Sequence, residues 1–351
     1  MKYSVILLIS ILFVGCKSDK KDYIRCDEVR TILSFAEEIE LKNPSVVPVD
    51  LTGCVDIIQA DSLMICKKED GEYFWEIYSL NTMKSLGEYI RKGHGRNEFE
   101  WAPSSENAYY KGDTLYCDIL KSSSGKLYAC NLTATVQNRK LSLSEKFGCS
   151  AYGEMCNVVE LGDSSYFCVK CHDMGSFQRS VISANGGERV LERGNLNKMK
   201  ADELNVLSAF RIVSAAHKKV AEGMLRFPQI NLYSLDSDKN MTLSLESELY
   251  SMSSVENQSK SSRKKYFGAM QSSVDWFGAL YYGIPFKDIY EGSDQGSSIL
   301  FFGWDGTPVL KAHLPYIATS FFVYDKKLYV FTNCGEKESL MIYDSPSVLS
   351  K

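Results

Sequence analysis

A unit of about fifty residues recurs six times along this 351-residue chain, and the recurrence leaves few folds open. Its clearest copy runs from Asp113 to Asn131. Thr114-Leu115-Tyr116-Cys117-Asp118 reads as a strand entered from a tight turn, Ser122-Ser123-Ser124-Gly125 as a loop, and Lys126-Leu127-Tyr128-Ala129-Cys130 as a second strand. Asp and Asn at such turns tolerate positive φ or cap the turn with their side chains. The first turn falls at Asp61, Asp113, Asp163, His217, Asp275 and Asp325, with spacings of 52, 50, 54, 58 and 50. The second falls at Asn81, Asn131, Asn185, Asp236, Asp305 and Asp344, each ending an apolar run such as Met341-Ile342-Tyr343. Strand-rich repeats of this length without helical periodicity predict propeller blades.

The expected fold is therefore all-β: a six-bladed β-propeller of four-stranded antiparallel blades. The blades are expected at Val55–Arg91, Asn107–Phe147, Asn157–Arg193, Phe210–Leu245, Phe267–His313 and Thr319–Asp344. Only seven residues follow Asp344, so the sixth blade lacks an outer strand, and Glu38–Leu41 is the expected N-terminal strand that closes the ring. Between blades, Leu196, Met199, Glu203, Leu204 and Leu207 have roughly helical spacing, which predicts a short surface helix in 194–207. Serine-rich 246–265 reads as a mobile loop.

The first residues carry an address. Lys2 precedes an apolar run from Val5 to Val14, long enough for a signal peptide and too short to span a bilayer. Leu12-Phe13-Val14-Gly15-Cys16 resembles the bacterial lipobox, although Phe13 replaces the usual Leu. The resemblance implies acylation of Cys16 and anchoring to a membrane of the cell envelope, with the outer membrane as the expected site. On this reading 1–15 is a signal peptide, 16–30 a tether and 31–351 the propeller.

Gly87-Glu88-Tyr89-Ile90-Arg91-Lys92-Gly93-His94-Gly95-Arg96-Asn97-Glu98-Phe99 is similar to the Gly-x-Gly-Pro-x-Glu-Phe loop after the first blade of TolB-like six-bladed β-propeller lipoproteins of Bacteroidetes-type bacteria. Ile39-Glu40-Leu41-Lys42-Asn43-Pro44-Ser45 resembles the segment before that blade. Arg96 stands where the family has Pro. The resemblance implies a fold and a compartment, and it supplies no catalytic residues.

Ligands of propellers usually meet the rim with the longer loops, formed here by the connections between blades and between second and third strands. That rim is expected to gather His94, Arg96, Glu98, Trp101, His172, Asp173, Arg226, Phe227, Asp288, Tyr290 and Glu291. His94, Arg96, Glu98, Trp101, His172, Arg226 and Tyr290 form the expected ligand-binding set, since mixed charges and aromatics suit a glycan, a peptide or an envelope protein. The bland alternative is a ring of solvated loop residues around a water-filled channel. An envelope polysaccharide hydrolase or lyase using Glu98, Asp173, Asp288 or Glu291 is the competing class. A net charge of -4 provides no basic field for nucleic acid.

Eleven cysteines are present. Cys66, Cys117 and Cys168 follow their first turns by four or five residues, which predicts equivalent buried places on second strands. Cys168-Val169-Lys170-Cys171-His172 matches the C-x-x-C-H attachment signature of c-type haem. Residues three apart on a strand face opposite ways, which opposes that use. No G-x-S-x-G, H-E-x-x-H or phosphate-binding loop occurs. No cofactor or metal is expected, and a haem electron carrier is the least favoured function.

Overall fold

A computed structural model describes residues 22–349, apart from 96, 122–123, 149–153, 163, 173–174, 204, 292–294 and 335–337. Three short strands come first: β1 (Glu28–Thr31), β2 (Glu37–Glu40) and β3 (Ser45–Val46). Blade one is β4 (Cys54–Ala60), β5 (Leu63–Lys68), β6 (Tyr73–Ser79) and β7 (Ser85–Arg91). Blade two is β8 (Ser104–Lys111), β9 (Thr114–Lys121), β10 (Lys126–Asn131) and β11 (Leu143–Gly148), with helix α1 (Leu132–Asn138) inserted before its outer strand. Blade three is β12 (Met155–Gly162), β13 (Ser165–His172), β14 (Ser176–Ser183) and β15 (Glu188–Val190). Blade four is β16 (Ala209–Ser214), β17 (Lys219–Met224), β18 (Gln229–Ser234) and β19 (Asn240–Ser244), followed by α2 (Met252–Glu256). Blade five is β20 (Lys264–Ser272), β21 (Trp276–Pro285), β22 (Ser298–Gly303) and β23 (Pro308–His313), with α3 (Phe286–Glu291) between its second and third strands. Blade six is β24 (Ser320–Tyr324), β25 (Lys327–Thr332) and β26 (Ser339–Asp344), with β3 paired antiparallel beside β26.

The six-bladed ring of antiparallel sheets agrees with the repeat, and the apolar cores lie between neighbouring blades. Inner and second strands touch a blade on each face, so β13, β17 and β25 are buried almost without interruption. Cys66, Cys117 and Cys168 are 1%, 1% and 0% exposed on β5, β9 and β13. Each packs into the core shared with the preceding blade, which explains their register. Several turns have the expected backbone: Asp61 and Asp325 have φ of 51° and 46°. The left-handed residue shifts to Gly112, Ser164 and Lys218 in blades two to four.

Four expectations fail locally. Glu38–Leu41 does not complete blade six: Glu37–Glu40 runs parallel to β23, as a fifth strand of blade five. The strand beside β26 is Ser45–Val46, in register with Ile342 and Met341. Nor is 16–30 a free tether throughout. Ile24 and Cys26 are 1% and 0% exposed, and Glu28–Thr31 pairs parallel with β19 of blade four. The N-terminal segment thus straps the outer edges of blades four, five and six in turn, covering strand edges that would otherwise be open.

The third correction concerns 194–207, whose described residues form turns and bends rather than a helix. Leu196, Met199, Val206 and Leu207 are buried in the core between blades three and four. The segment's backbone N–H groups bond in tight turns, Leu196 to Arg193, Lys198 to Asn195 and Val206 to Glu203, or to the Arg25 and Gly175 carbonyls. Asn195 and Asn197 tie it down by accepting from the Arg25 and Arg179 N–H groups at 2.8 and 3.0 Å. The fourth concerns 246–265, which is anchored: Ser251 caps α2, and Arg263, 6% exposed, pairs with Glu203 at 2.8 Å.

Candidate functional site

The described residues of the expected rim make mostly local contacts. His94 pairs with Glu100 of its own loop at 3.1 Å, and Trp101 is 73% exposed. The Glu98 carboxylate accepts from the Gly95 N–H at 2.9 Å and fills the space that a Cβ at Gly93 or Gly95 would need. It therefore shapes the loop, and its backbone carbonyl accepts from Lys121 Nζ at 2.7 Å. His172 ends β13 with an exposed side chain, and its carbonyl accepts from Ser176 Oγ at 3.1 Å. Arg226 donates to the Lys264 carbonyl at 3.3 Å and lies over the Phe286 ring at 5.1 Å. Burial, with Arg263 nearby, pulls the Arg226 guanidinium below its ordinary pKa. Phe227 is a core residue, fully buried. Arg96 and Asp173 lie outside the described residues, as does Cys16, and so do the side chains of Tyr290 and Glu291 in α3.

Two larger cavities lie elsewhere, along the propeller axis. A chamber of about 650 Å³ is lined mainly by the inner strands of blades one to five and includes Asp56, Asn157, Arg211 and Lys265, with Lys67 from β5 and Thr319 just ahead of β24. A cavity of about 760 Å³ adjoins it at Ala108 and Ser272 and opens among the turns after the inner strands of blades two to five. That opening is the rim opposite the expected residues. From it a groove extends outward between blades two and three, past Tyr109, Tyr116 and Asp118 to Ser144, Lys146 and Glu160.

Strand alternation builds the groove. Tyr116 and Asp118 point one way from β9, and Tyr109 on β8 pairs with Tyr116, their rings stacking at 5.8 Å. Lys146, on β11, places Nζ 3.0 Å from both Asp118 oxygens and 3.1 Å from Tyr109 Oη, and it also meets Glu160 of blade three. The ammonium lies 4.9 Å from the Tyr109 ring centroid, adding a cation–π contact. Burial pushes the Asp118 carboxyl above its ordinary pKa, opposed by Lys146. Burial works against charge on Lys146 too, but Glu160, Asp118 and Tyr109 outweigh it and raise its pKa. Tyr110, 57% exposed, stands at the mouth and donates to Asp61 Oδ2 at 2.9 Å.

A second charged cluster lies behind the chamber. Glu222 is fully buried and accepts from Arg179, Arg211 and Tyr233 at 2.7–3.0 Å. Burial would raise the Glu222 pKa, yet Arg179 and Arg211 outweigh it and lower it to about 2. Lys265 lies 4.6 Å from the Tyr282 ring centroid and 5.8 Å from that of Phe210. Burial lowers its pKa to about 8, with Arg226 acting in the same direction and Cys334 against it.

The C-x-x-C-H match lies wholly within β13 as far as His172. Cys168 packs between blades two and three, whereas Cys171 packs against the core between blades three and four. The two sulfurs face opposite sides of one sheet, so they do not attach one haem. The groove residues sit on strands, outside the loops that the repeat pattern singles out. Asp118, a charge within an otherwise apolar second strand, was the available signal.

No family model matches the chain, and no curated protein matches it in sequence. Among solved structures, it is similar to a member of the DUF4221 family from Bacteroides vulgatus at 10% identity, with a TM-score of 0.55, over 86% of this chain and 96% of that one. It is also similar to a Bacteroides fragilis protein whose name marks it as one expected to be exported, at 9% identity, TM-score 0.54, over 91% and 99% of the two chains. At such identities the likeness is one of fold: a six-bladed β-propeller of the kind found in these Bacteroides proteins.

Proposed function

We propose that this chain is an exported, lipid-anchored propeller that binds a glycan without transforming it, in the groove between blades two and three. The observation that carries the reading is the 760 Å³ cavity in which Tyr109, Tyr110 and Tyr116 stand beside the Asp118–Lys146–Glu160 cluster. Flat aromatic surface next to fixed donors and acceptors suits a hydroxyl-rich ligand. Hydrolysis of a glycosidic bond needs two carboxyls facing across it. Asp118 is 3% exposed, and both its oxygens are occupied by Lys146, which leaves Glu160 as the single accessible carboxylate of the cluster.

The anchor is compatible with access. Asp22 accepts from Ser253 Oγ at 2.7 Å beside α2, on the rim away from the groove. The six residue-to-residue steps from Cys16 to Asp22 span about 20 Å when extended. A membrane held at Cys16 would therefore face the loop-rich rim and leave the groove open. The name of the Bacteroides fragilis neighbour, which marks it as expected to be exported, and the lipobox resemblance support the same compartment.

The test is a glycan screen on the acyl-free domain, run in parallel with Tyr116→Ala. A retained glycan whose affinity falls roughly tenfold in the variant supports the reading. Retention equal in both proteins removes the groove from consideration, and consumption of the glycan by the parent would establish an enzyme.

A further inference from the structure

The axial chamber carries positive charge that its own carboxylates do not balance. Arg179 and Arg211 share one carboxylate, Glu222, so this fully buried cluster keeps a net positive charge. Arg211 lines the chamber with its side chain 8% exposed, and its Nη2 is buried without an acceptor among the described residues. Buried donors are satisfied in the great majority of cases, so an orphan at a cavity wall points to an acceptor that comes from outside the fold.

Lys265 is the second cation of that wall. It stands on β20, beside β16, and its ammonium rests on the rings of Tyr282 and Phe210, with no carboxylate in hydrogen-bond reach among the described residues. The other charges lining the chamber have partners. Lys67 pairs with Asp56 at 3.1 Å, and Asp61, at the turn end, is held by Tyr110.

We infer that this chamber is an oxyanion site, in which a carboxylate or phosphate group of a small ligand sits against Arg211 and Lys265. Guanidinium donors and a neighbouring ammonium in a partly dehydrated wall are the usual elements of such recognition. The site is separate from the groove and does not depend on the glycan reading.

Titration calorimetry with inorganic phosphate and with acetate, against chloride at equal ionic strength, tests it and distinguishes the two anion types. The parent should bind at least one of them saturably, and Lys265→Met should weaken that binding roughly tenfold or more. Methionine fits the same slot between the two rings, and Lys265→Arg, which keeps the cation, should retain binding. Tyr116→Ala, in the groove, should leave anion affinity unchanged. The inference is overturned if neither anion binds beyond chloride, if Lys265→Met binds within about twofold of the parent, or if Tyr116→Ala weakens binding as much as Lys265→Met.

Discussion

Lys146 places its ammonium 3.0 Å from each oxygen of Asp118, joining the second and outer strands of blade two beneath the mouth of the groove. Asp118 is 3% exposed, so the pair is held largely away from water. Removing one partner leaves an uncompensated charge, whereas removing both does not. Lys146→Met should cost about 3–5 kcal/mol in urea unfolding, and the Asp118→Asn/Lys146→Met double variant clearly less. A double variant no more stable than Lys146→Met would show that packing, not charge, dominates there.

Glu222 predicts an acid-sensitive core. Its carboxyl is held at about 2 against an ordinary 4.5, so the folded state binds fewer protons than the unfolded state between those values. The stabilisation is fully present above pH 4.5 and is lost as pH falls toward 2. Glu222→Gln should be strongly destabilised at pH 7, by about 3–5 kcal/mol, and its stability should fall less steeply than the parent's below pH 4.5. Chemical denaturation across pH 2.5–7 measures both.

Lys265 gives the opposite dependence. Its pKa is about 8 in the fold against an ordinary 10.5, so the unfolded chain binds more protons between those values and stability from this group rises with pH across that window. Relative to Lys265→Met, the parent should gain about 2.5 kcal/mol between pH 8 and 10.5. A constant difference between the two proteins over that range would rule out a depressed pKa.

The two rims make separable predictions for ligand retention. Trp101→Ala and His94→Ala lie on the rim away from the groove, so each should retain a groove-bound glycan within about twofold of the parent. Surface plasmon resonance on the glycan found by screening is the measurement. Loss of binding in Trp101→Ala would return the site to the loop-rich rim.

The strap can be tested by core truncation. Ile24 is 1% exposed and packs between blades three and four, so Ile24→Ala should cost about 2–4 kcal/mol. A residue in a free tether would cost nothing, and thermal unfolding distinguishes the two.

Much of the ring was legible because blade architecture is written locally. Strand runs and the turns at Asp61 and Asp325 depend on neighbours a few residues away, and the Cys66, Cys117 and Cys168 register repeats with the blades. The candidate site was less legible. Tyr109, Asp118, Lys146 and Glu160 come from three strands of blade two and one of blade three, and no spacing in the chain relates them. The loop that carries His94 and Glu98 was conspicuous through its glycines, yet the Glu98 carboxylate holds its own loop together.

By itself the sequence determined that six strand-rich units follow one another, because period-two patterning and turn chemistry act over short distances. Where the N-terminal segment goes was decided by tertiary structure. Residues 24–46 offer several short strands of similar character, and only the exposed edges of blades four, five and six select their partners. Tertiary structure likewise decided which charges share a cluster, since Arg179 of blade three reaches the Arg211–Glu222 cross-strand pair of blade four only when the two blades close on one another.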